Sequence, residues 1–253
     1  MVIVKLGGRV RSSPELIPAL AAWWQATPGS FAVVHGGGDD VSAFQRQLGR
    51  EPSFVNGRRI TSEEDVDLVR MVLSGSSNKR LVAELVAAGV PAAGVSGEDG
   101  GMIEAEPIDL EAYGRAGKPV GVRTDLINTL LGAGFLPVIS PVARDATSAR
   151  GAALNVNGDD AAAAIAAAMQ AELWMITDVS GVLDAEKKVL ASLNSVETAG
   201  LVTSGVVNKG MHAKLEAGFS ALEHGAAAVR IAGLEAIMKP DSRHGTHLTA
   251  SMS

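Results

Sequence analysis

Two lysines, one aspartate and two glycine turns are the groups in this chain whose types and spacing suit the handling of an anion. Lys5 stands inside the apolar run Val2-Ile-Val-Lys-Leu6, directly before Gly7-Gly8. A buried ammonium is costly unless it faces a carboxylate or a bound anion, so one of these is expected beside it. A second apolar run, Phe31-Ala-Val-Val-His35, opens into Gly36-Gly37-Gly38. Glycine turns expose backbone N–H groups, which together with the dipole of a following helix make an anion site. A lone Gly-Gly more often serves only a tight turn. Two of them on adjacent parallel strands would stand side by side at the carboxyl edge of the sheet, where open α/β sheets bind ligands.

The stretch Asn155-Val-Asn157-Gly-Asp159-Asp160 runs into an alanine-rich segment that is strongly helix-forming,. Asp159 or Asp160 is expected to cap that helix. Asp159 could also orient Lys5 and Lys214 where the fold brings the three together. Lys214 lies in Lys209-Gly-Met-His-Ala-Lys214, for which a solvated helix face is the simplest reading. His35 either touches a ligand or bonds to neighbouring backbone. His212, His244 and His247 have no metal-ligand spacing with supporting carboxylates and read as surface residues,. The chain contains neither a P-loop nor a Gly-x-Gly-x-x-Gly turn,.

These groups need a scaffold, and the periodicity supplies one. Strand, glycine turn and helix occur twice in the first fifty or so residues: 2–6, then a helix from Pro14 to Gln25, then 31–35, then a helix from Asp39 to Leu48,. Parallel strands need helical crossovers, so this order predicts an α/β protein built as an open αβα sandwich on a mainly parallel central sheet. Residues 62–88 read as two helices broken near Gly75, and 89–95 as a strand. Residues 97–122 suit a hairpin or flap over a site, 124–133 a helix, 136–140 a strand, and 143–153 an exposed polar loop. A helix over 159–170 precedes a strand at 173–177, the loop Asp178–Leu183, a turn at 184–188, helices near 196–202 and 209–224, a strand at 226–231 and a short tail. Trp23 and Trp24 predict one ring in the core and the other at its margin or at a subunit contact. Two lobes sharing one sheet are expected, 1–171 and 172–253.

The composition sets limits. With 253 residues, 47% hydrophobic and 20% charged, the chain is an ordinary globular one with enough length for a large core,. No apolar run reaches membrane-spanning length, and the start lacks the pattern of a signal peptide, so a cytoplasmic protein with no membrane partner is expected. The formal charge of −6 argues against a nucleic-acid partner,. With no cysteine there are no disulfides, thiolate metal sites or cysteine nucleophiles,.

Lys5-Leu-Gly-Gly8, His35-Gly-Gly-Gly38, Asn56-Gly-Arg-Arg-Ile-Thr61, Asn78-Lys79, Leu136-Pro-Val-Ile-Ser140, Asn155-Val-Asn157 with Asp159, Asp178-Val-Ser-Gly-Val-Leu183 and Gly210-Met-x-x-Lys214 follow one another along nearly the whole chain. This ordered set resembles the amino acid kinase family and, within it, the acetylglutamate kinase branch. The resemblance implies phosphoryl transfer from ATP to the side-chain carboxylate of N-acetylglutamate, a reaction that asks for positioning and charge neutralisation. Lys5 then resembles the lysine on the transferring phosphoryl group, Lys214 the one facing the departing ADP, and Asp159 the organiser of both. The N–H groups of Gly8 and Gly37 resemble donors to the in-flight oxygens. Gly37, Gly38, Arg59, Asn155 and Asn157 match the acylglutamate site, Arg59 or its neighbour Arg58 being suited to a bidentate clamp on a carboxylate. Asp178, Val179, Ser180, Gly181, Val182 and Leu183, with Val206, Val207, Asn208 and Met211, match the nucleotide loops. Magnesium is implied with ATP, held by phosphates and water, and no protein metal site is expected. No helix precedes the first strand where regulated members carry their hexamer-forming, arginine-responsive element, so the resemblance implies a homodimer without arginine feedback. Two other readings stay open: a sibling acting on N-succinylglutamate or carrier-linked aminoadipate, which a basic docking face would favour, and a non-catalytic sensor of the same fold.

Overall fold

The first two strand-turn-helix units form as the sequence predicts, in a computed structural model that describes residues 1–55, 57–207, 209–240 and 243–250. β1 (Val2–Leu6) and β2 (Phe31–His35) pair in parallel, Lys5 beside Val34 and Leu6 beside His35. The crossover α1 (Leu16–Ala26) carries Pro18 in its first turn, where a missing N–H costs nothing,. Both of its tryptophans are buried, which corrects the expectation of a marginal ring. Trp23 stacks on Phe31 and Trp174, and Trp24 meets Phe31 edge-on, so one aromatic on β2 seats both,.

α2 (Gly38–Gln47) starts at the third glycine, and a small two-stranded hairpin follows, β3 (Phe54–Val55) and β4 (Arg58–Arg59). Where the sequence predicts a break near Gly75 the helix runs on. α3 (Glu63–Arg70), capped by the Ser62 hydroxyl, passes through a π-helical stretch, Met71–Ser77, into α4 (Asn78–Ala87). Gly75 sits inside that wide turn. Gly89, at φ +82, ends the helix, and β5 (Ala92–Ser96) begins only after Pro91.

The region expected as a hairpin or flap is a hairpin, and it forms half of a second sheet. β6 (Ile103–Pro107), the short α5 (Leu110–Tyr113) and β7 (Ala116–Val122) make an antiparallel hairpin. α6 (Asp125–Gly132) and β8 (Leu136–Ser140) then return to the main sheet. β9 (Val142–Asp145) and β10 (Ala153–Val156) join the hairpin in a closed four-stranded barrel. The exposed loop read over 143–153 is therefore corrected to two strands joined by 146–152. The barrel buries Ala105, Ala143 and Leu154, and a buried ion pair, Arg115 Nη2 to Asp145 at 2.9 Å, ties its ends.

α7 (Gly158–Ala168) leads to β11 (Glu172–Ile176), which pairs with β1. β12 (Ser192–Leu193), α8 (Ser195–Thr203), α9 (Lys209–Glu223) and β13 (Ala228–Ala232) follow. The short tail is structured: α10 (Glu235–Met238) precedes β14 (Thr246–Leu248), which runs antiparallel to β13. Among the described residues the main sheet has the order β12-β14-β13-β11-β1-β2-β8-β5 and is mainly parallel. Because side chains alternate across a strand, Ile3, Ala32 and Val34 pack with α7 and α9 on one face. Val4, Leu6, Phe31 and Val33 pack with α1, α4 and α10 on the other. Gly7-Gly8 and Gly36–Gly38 follow the carboxyl ends of β1 and β2, at the edge between those two layers.

Candidate functional site

Helix α7 begins beside the end of β1, and that junction assembles three charges distant in sequence. Lys5 Nζ lies 2.7 Å from Asp159 Oδ1, and Lys214 Nζ, reaching in from α9, lies 3.0 Å from Asp159 Oδ2. Lys5 and Asp159 are 5% and 6% exposed, so neither charge is screened by bulk water. Burial opposes the ionised Asp159 carboxyl, yet the two ammonium charges hold its pKa at about 2,. Burial lowers the pKa of Lys5, an effect that Asp159 opposes and Lys214 reinforces. One carboxylate between two protonated lysines leaves a positive charge uncompensated, which an incoming anion neutralises. The helix cap is not Asp159 or Asp160, as the sequence suggested: Asn157 Oδ1 accepts the Asp159 N–H at 2.8 Å. The cap frees Asp159 to face the lysines from the first turn.

The second glycine turn is fixed from below. The His35 imidazole is fully buried, with Nδ1 2.7 Å from the Gly36 carbonyl and Nε2 3.1 Å from the Asn78 amide nitrogen. Of the two readings of His35, backbone bonding is the observed one. Arg11 Nη1 donates to the same carbonyl at 3.0 Å and pairs with Asp40. At Gly37 an added Cβ would lie 2.6 Å from a terminal methyl of Leu73, so a larger residue there would have to displace that side chain. Burial pushes the His35 pKa down to about 4 from 6.5. The unfolded chain then takes up this proton first, and the neutral ring's contribution to stability, whole above pH 6.5, is lost as pH falls towards 4. The loss is about 3 kcal/mol. Denaturant titrations from pH 7 to pH 4 should show this slope, and in His35→Gln it should vanish.

A cleft of about 290 Å³ opens above these groups. Lys5, Gly8 and Gly37 line it together with Arg58 and Arg59 and with Asn155, Asn157 and Gly158, while β7 contributes Ala116. Arg59 is buried, donating through Nη2 to the Gly38 carbonyl at 2.7 Å and to Ser42 Oγ at 2.7 Å, and through Nη1 to Gln45. Each of these contacts is a neutral oxygen. Arg58, by contrast, pairs with Asp160 at 2.6 Å. The Asn155 amide donates to Thr61 Oγ1 at 3.0 Å.

The loop Asp178–Leu183 leaves the carboxyl end of β11 beside Gly7, whose N–H donates to the Ile176 carbonyl at 2.9 Å. Asp178 is exposed and paired with Arg9, while Val182 is buried and its N–H goes to Thr246 Oγ1 at 2.8 Å. Val206 and Val207 close the turn before α9, both N–H groups pointing to the Leu201 carbonyl. Met211 lies in the first turn of α9, and Asn208 falls outside the described residues. None of these loop residues lines the cleft, so they form a separate group along the same sheet edge. His244 is exposed as expected, but His212 on α9 is half-buried, and so is His247 on β14, opposite Arg230.

Two networks escaped the sequence: Arg11–Asp40–Ser77 beneath the glycine turn and Arg58–Asp160 beside the cleft. Adjacent charges at 58–59 and 159–160 were visible, but nothing in the spacing joins positions a hundred or so residues apart.

Residues 1–233 match the model of the amino acid kinase family. The chain is 42% identical over 235 residues to an acetylglutamate kinase of Rubrobacter xylanophilus, covering 92% of this chain and 88% of that one. It is 40% identical over 251 residues to the acetylglutamate kinase of Geobacillus kaustophilus, covering 97% and 95%. Among solved structures it superposes on smu.665 from Streptococcus mutans UA159 with a TM-score of 0.83 at 26% identity over 98% of both chains. The N-acetylglutamate synthase of Neisseria gonorrhoeae shares the fold, with a TM-score of 0.80 at 21% identity over all of this chain and 60% of that one. By sequence and by fold, the chain belongs to the amino acid kinase family.

Proposed function

We propose that this protein transfers the terminal phosphoryl group of ATP to the side-chain carboxylate of N-acetyl-L-glutamate, giving N-acetylglutamyl 5-phosphate and ADP, as a step of arginine biosynthesis. The observation that carries the reading is Asp159 held between Lys5 and Lys214, with Lys5 lining a cleft that Arg59 also lines. Attack of one carboxylate on a phosphoryl group brings two anions together, so the barrier falls where fixed positive charge and oriented N–H donors receive them. Lys5, with the N–H groups of Gly8 and Gly37, faces the phosphoryl oxygens in flight. Lys214 meets the charge that grows on departing ADP, and Asp159 keeps the two ammonium groups in register.

Arg59 is the clamp for the substrate's α-carboxylate, because its contacts are neutral oxygens and its charge stays available, whereas Asp160 neutralises Arg58,. Gly38, Asn155 and Asn157 complete the acylglutamate site. The nucleotide lies along Asp178–Leu183 with Val206, Val207, Asn208 and Met211, in a nucleotide lobe of residues 172–253 beside an acyl-amino-acid lobe of residues 1–171. Both oxygens of Asp159 are engaged by lysine, and among the described residues no three acidic or histidine side chains converge. The residues present therefore fit magnesium carried on the nucleotide's own phosphates, where it neutralises charge. Among the described residues no helix is long and apolar enough to cross a membrane. A cytoplasmic homodimer completes the reading.

Purified protein given ATP and hydroxylamine should yield hydroxamate with N-acetylglutamate and not with free glutamate. Hydroxamate from N-succinylglutamate alone would replace the substrate, and none from any of the three would overturn the reading. In the same assay Arg59→Ala should raise the KM for N-acetylglutamate by one to two orders of magnitude, since hydrogen bonds to charged groups contribute about 1.5–3 kcal/mol.

A further inference from the structure

We infer that the Arg58–Asp160 ion pair is a latch that fixes the β3–β4 hairpin across the cleft, so that Arg58 positions the substrate clamp without being the clamp. The inference rests on the function proposed above. Two-residue strands make a hairpin too small to hold itself in water,. Nor does an apolar face hold it down: Phe54 is 52% exposed and Val55 38%. What ties it to the body of the protein is polar. Successive residues of a strand point to opposite faces, so Arg59 turns one way, to Gly38, Ser42 and Gln45 of α2, and Arg58 turns the other, to Asp160 in the first turn of α7.

The hairpin is thus a span with a footing on each bank of the cleft. One footing is α2, which begins at the glycine turn. The other is α7, whose preceding residue in that first turn is the Asp159 that holds both lysines. The Arg58 and Asp160 side chains are 33% and 20% exposed, so solvent screens their pair only in part, and at 2.6 Å it is a charge-assisted hydrogen bond,. Cutting it leaves the hairpin held by Arg59 on α2 and, past its end, by the Thr61 N–H to the Tyr113 carbonyl at 3.1 Å, with nothing on the α7 side to stop the Arg59 guanidinium tilting away from the substrate carboxylate. Binding of the acyl-amino acid then weakens, while the lysines and the nucleotide loops stay in place.

The experiment compares Arg58→Leu, Asp160→Asn, the double variant and Arg58→Lys with the parent protein. Each single variant should raise the KM for N-acetylglutamate about tenfold, the double variant no more than either, with kcat and the KM for ATP moving less than about twofold. Because one nitrogen of Arg58 reaches Asp160, Arg58→Lys should recover most of the parent KM. Hydrogen exchange of the ligand-free proteins reads the latch without any reaction: the Ile60 amide, bonded to the Ser53 carbonyl at 2.9 Å, should exchange faster in Arg58→Leu and Asp160→Asn,. Additive effects on KM, an equal rise in the KM for ATP, or unchanged exchange at Ile60 would each overturn the latch. A parent protein that makes no hydroxamate would sink the proposed function instead, leaving exchange to decide the latch.

Discussion

A Lys5→Met variant should fold, bind both substrates and turn over about a thousandfold more slowly than the parent. Methionine matches the length of the lysine stem and suits a strand position flanked by Val4 and Leu6, both fully buried,. Asp159 keeps Lys214 as its partner at 3.0 Å, so no carboxylate is stranded. What disappears is a positive charge fixed where negative charge accumulates during transfer. Removing a single such donor from a dry site costs about 10²–10³ in kcat, and a full charge stands at the upper end of that range. Hydroxamate formation at saturating substrate gives kcat, and thermal melting checks the fold. Activity within tenfold of the parent would make Lys5 a structural counter-ion for Asp159 and nothing more.

Asp159→Ala should harm stability as well as activity. The substitution leaves two ammonium groups facing one another in a buried site with the carboxylate gone. Breaking a buried ion pair from one side costs about 3–5 kcal/mol, and for a chain of this length that lowers Tm by roughly 10 °C. The pH dependence identifies the cause. Burial already holds the Lys5 pKa below 10.5, and Asp159 opposes that shift in the parent. Without Asp159 the folded-state pKa falls further, while the unfolded chain keeps the ordinary value. Between the two values the unfolded state binds more protons, so the variant's stability should climb as pH rises towards 10.5. A deficit that stays flat from pH 7 to pH 10 would mean that lost packing, not stranded charge, is responsible.

The fold and the meeting of Lys5, Asp159 and Lys214 were legible where local chemistry and tertiary placement agree. Lys5 in an apolar run demanded a counter-charge, and the alternation of strand, glycine turn and helix brought Gly7-Gly8 next to Gly36–Gly38. The misreadings have physical causes too. β9 and β10 have four residues each, built around alanines that resemble a loop until a barrel buries them, and their anchor pairs Arg115 with a distant Asp145. Asn157 won the helix cap because its amide reaches the N–H two residues on, whereas Asp159 is drawn inward by two lysines. In β14 a strand of three residues follows a break, too short for any period to show.

The π-helical stretch Met71–Ser77 gives the chain a place to gain or lose length without disturbing its core. A π turn carries one residue more than an α turn, so a deletion there can be absorbed by reverting to ordinary helix. α3 would keep Val66 and Val69 inward, and α4 would keep Leu81 and Leu85 inward. What would go is the wide turn, and with it the reach of Leu73 to the cleft and of Ser77 to Asp40. Insertions and deletions, ordinarily confined to surface loops, thus have an inlet inside a helix, where they would reshape the wall of the cleft while the scaffold behind it stays put.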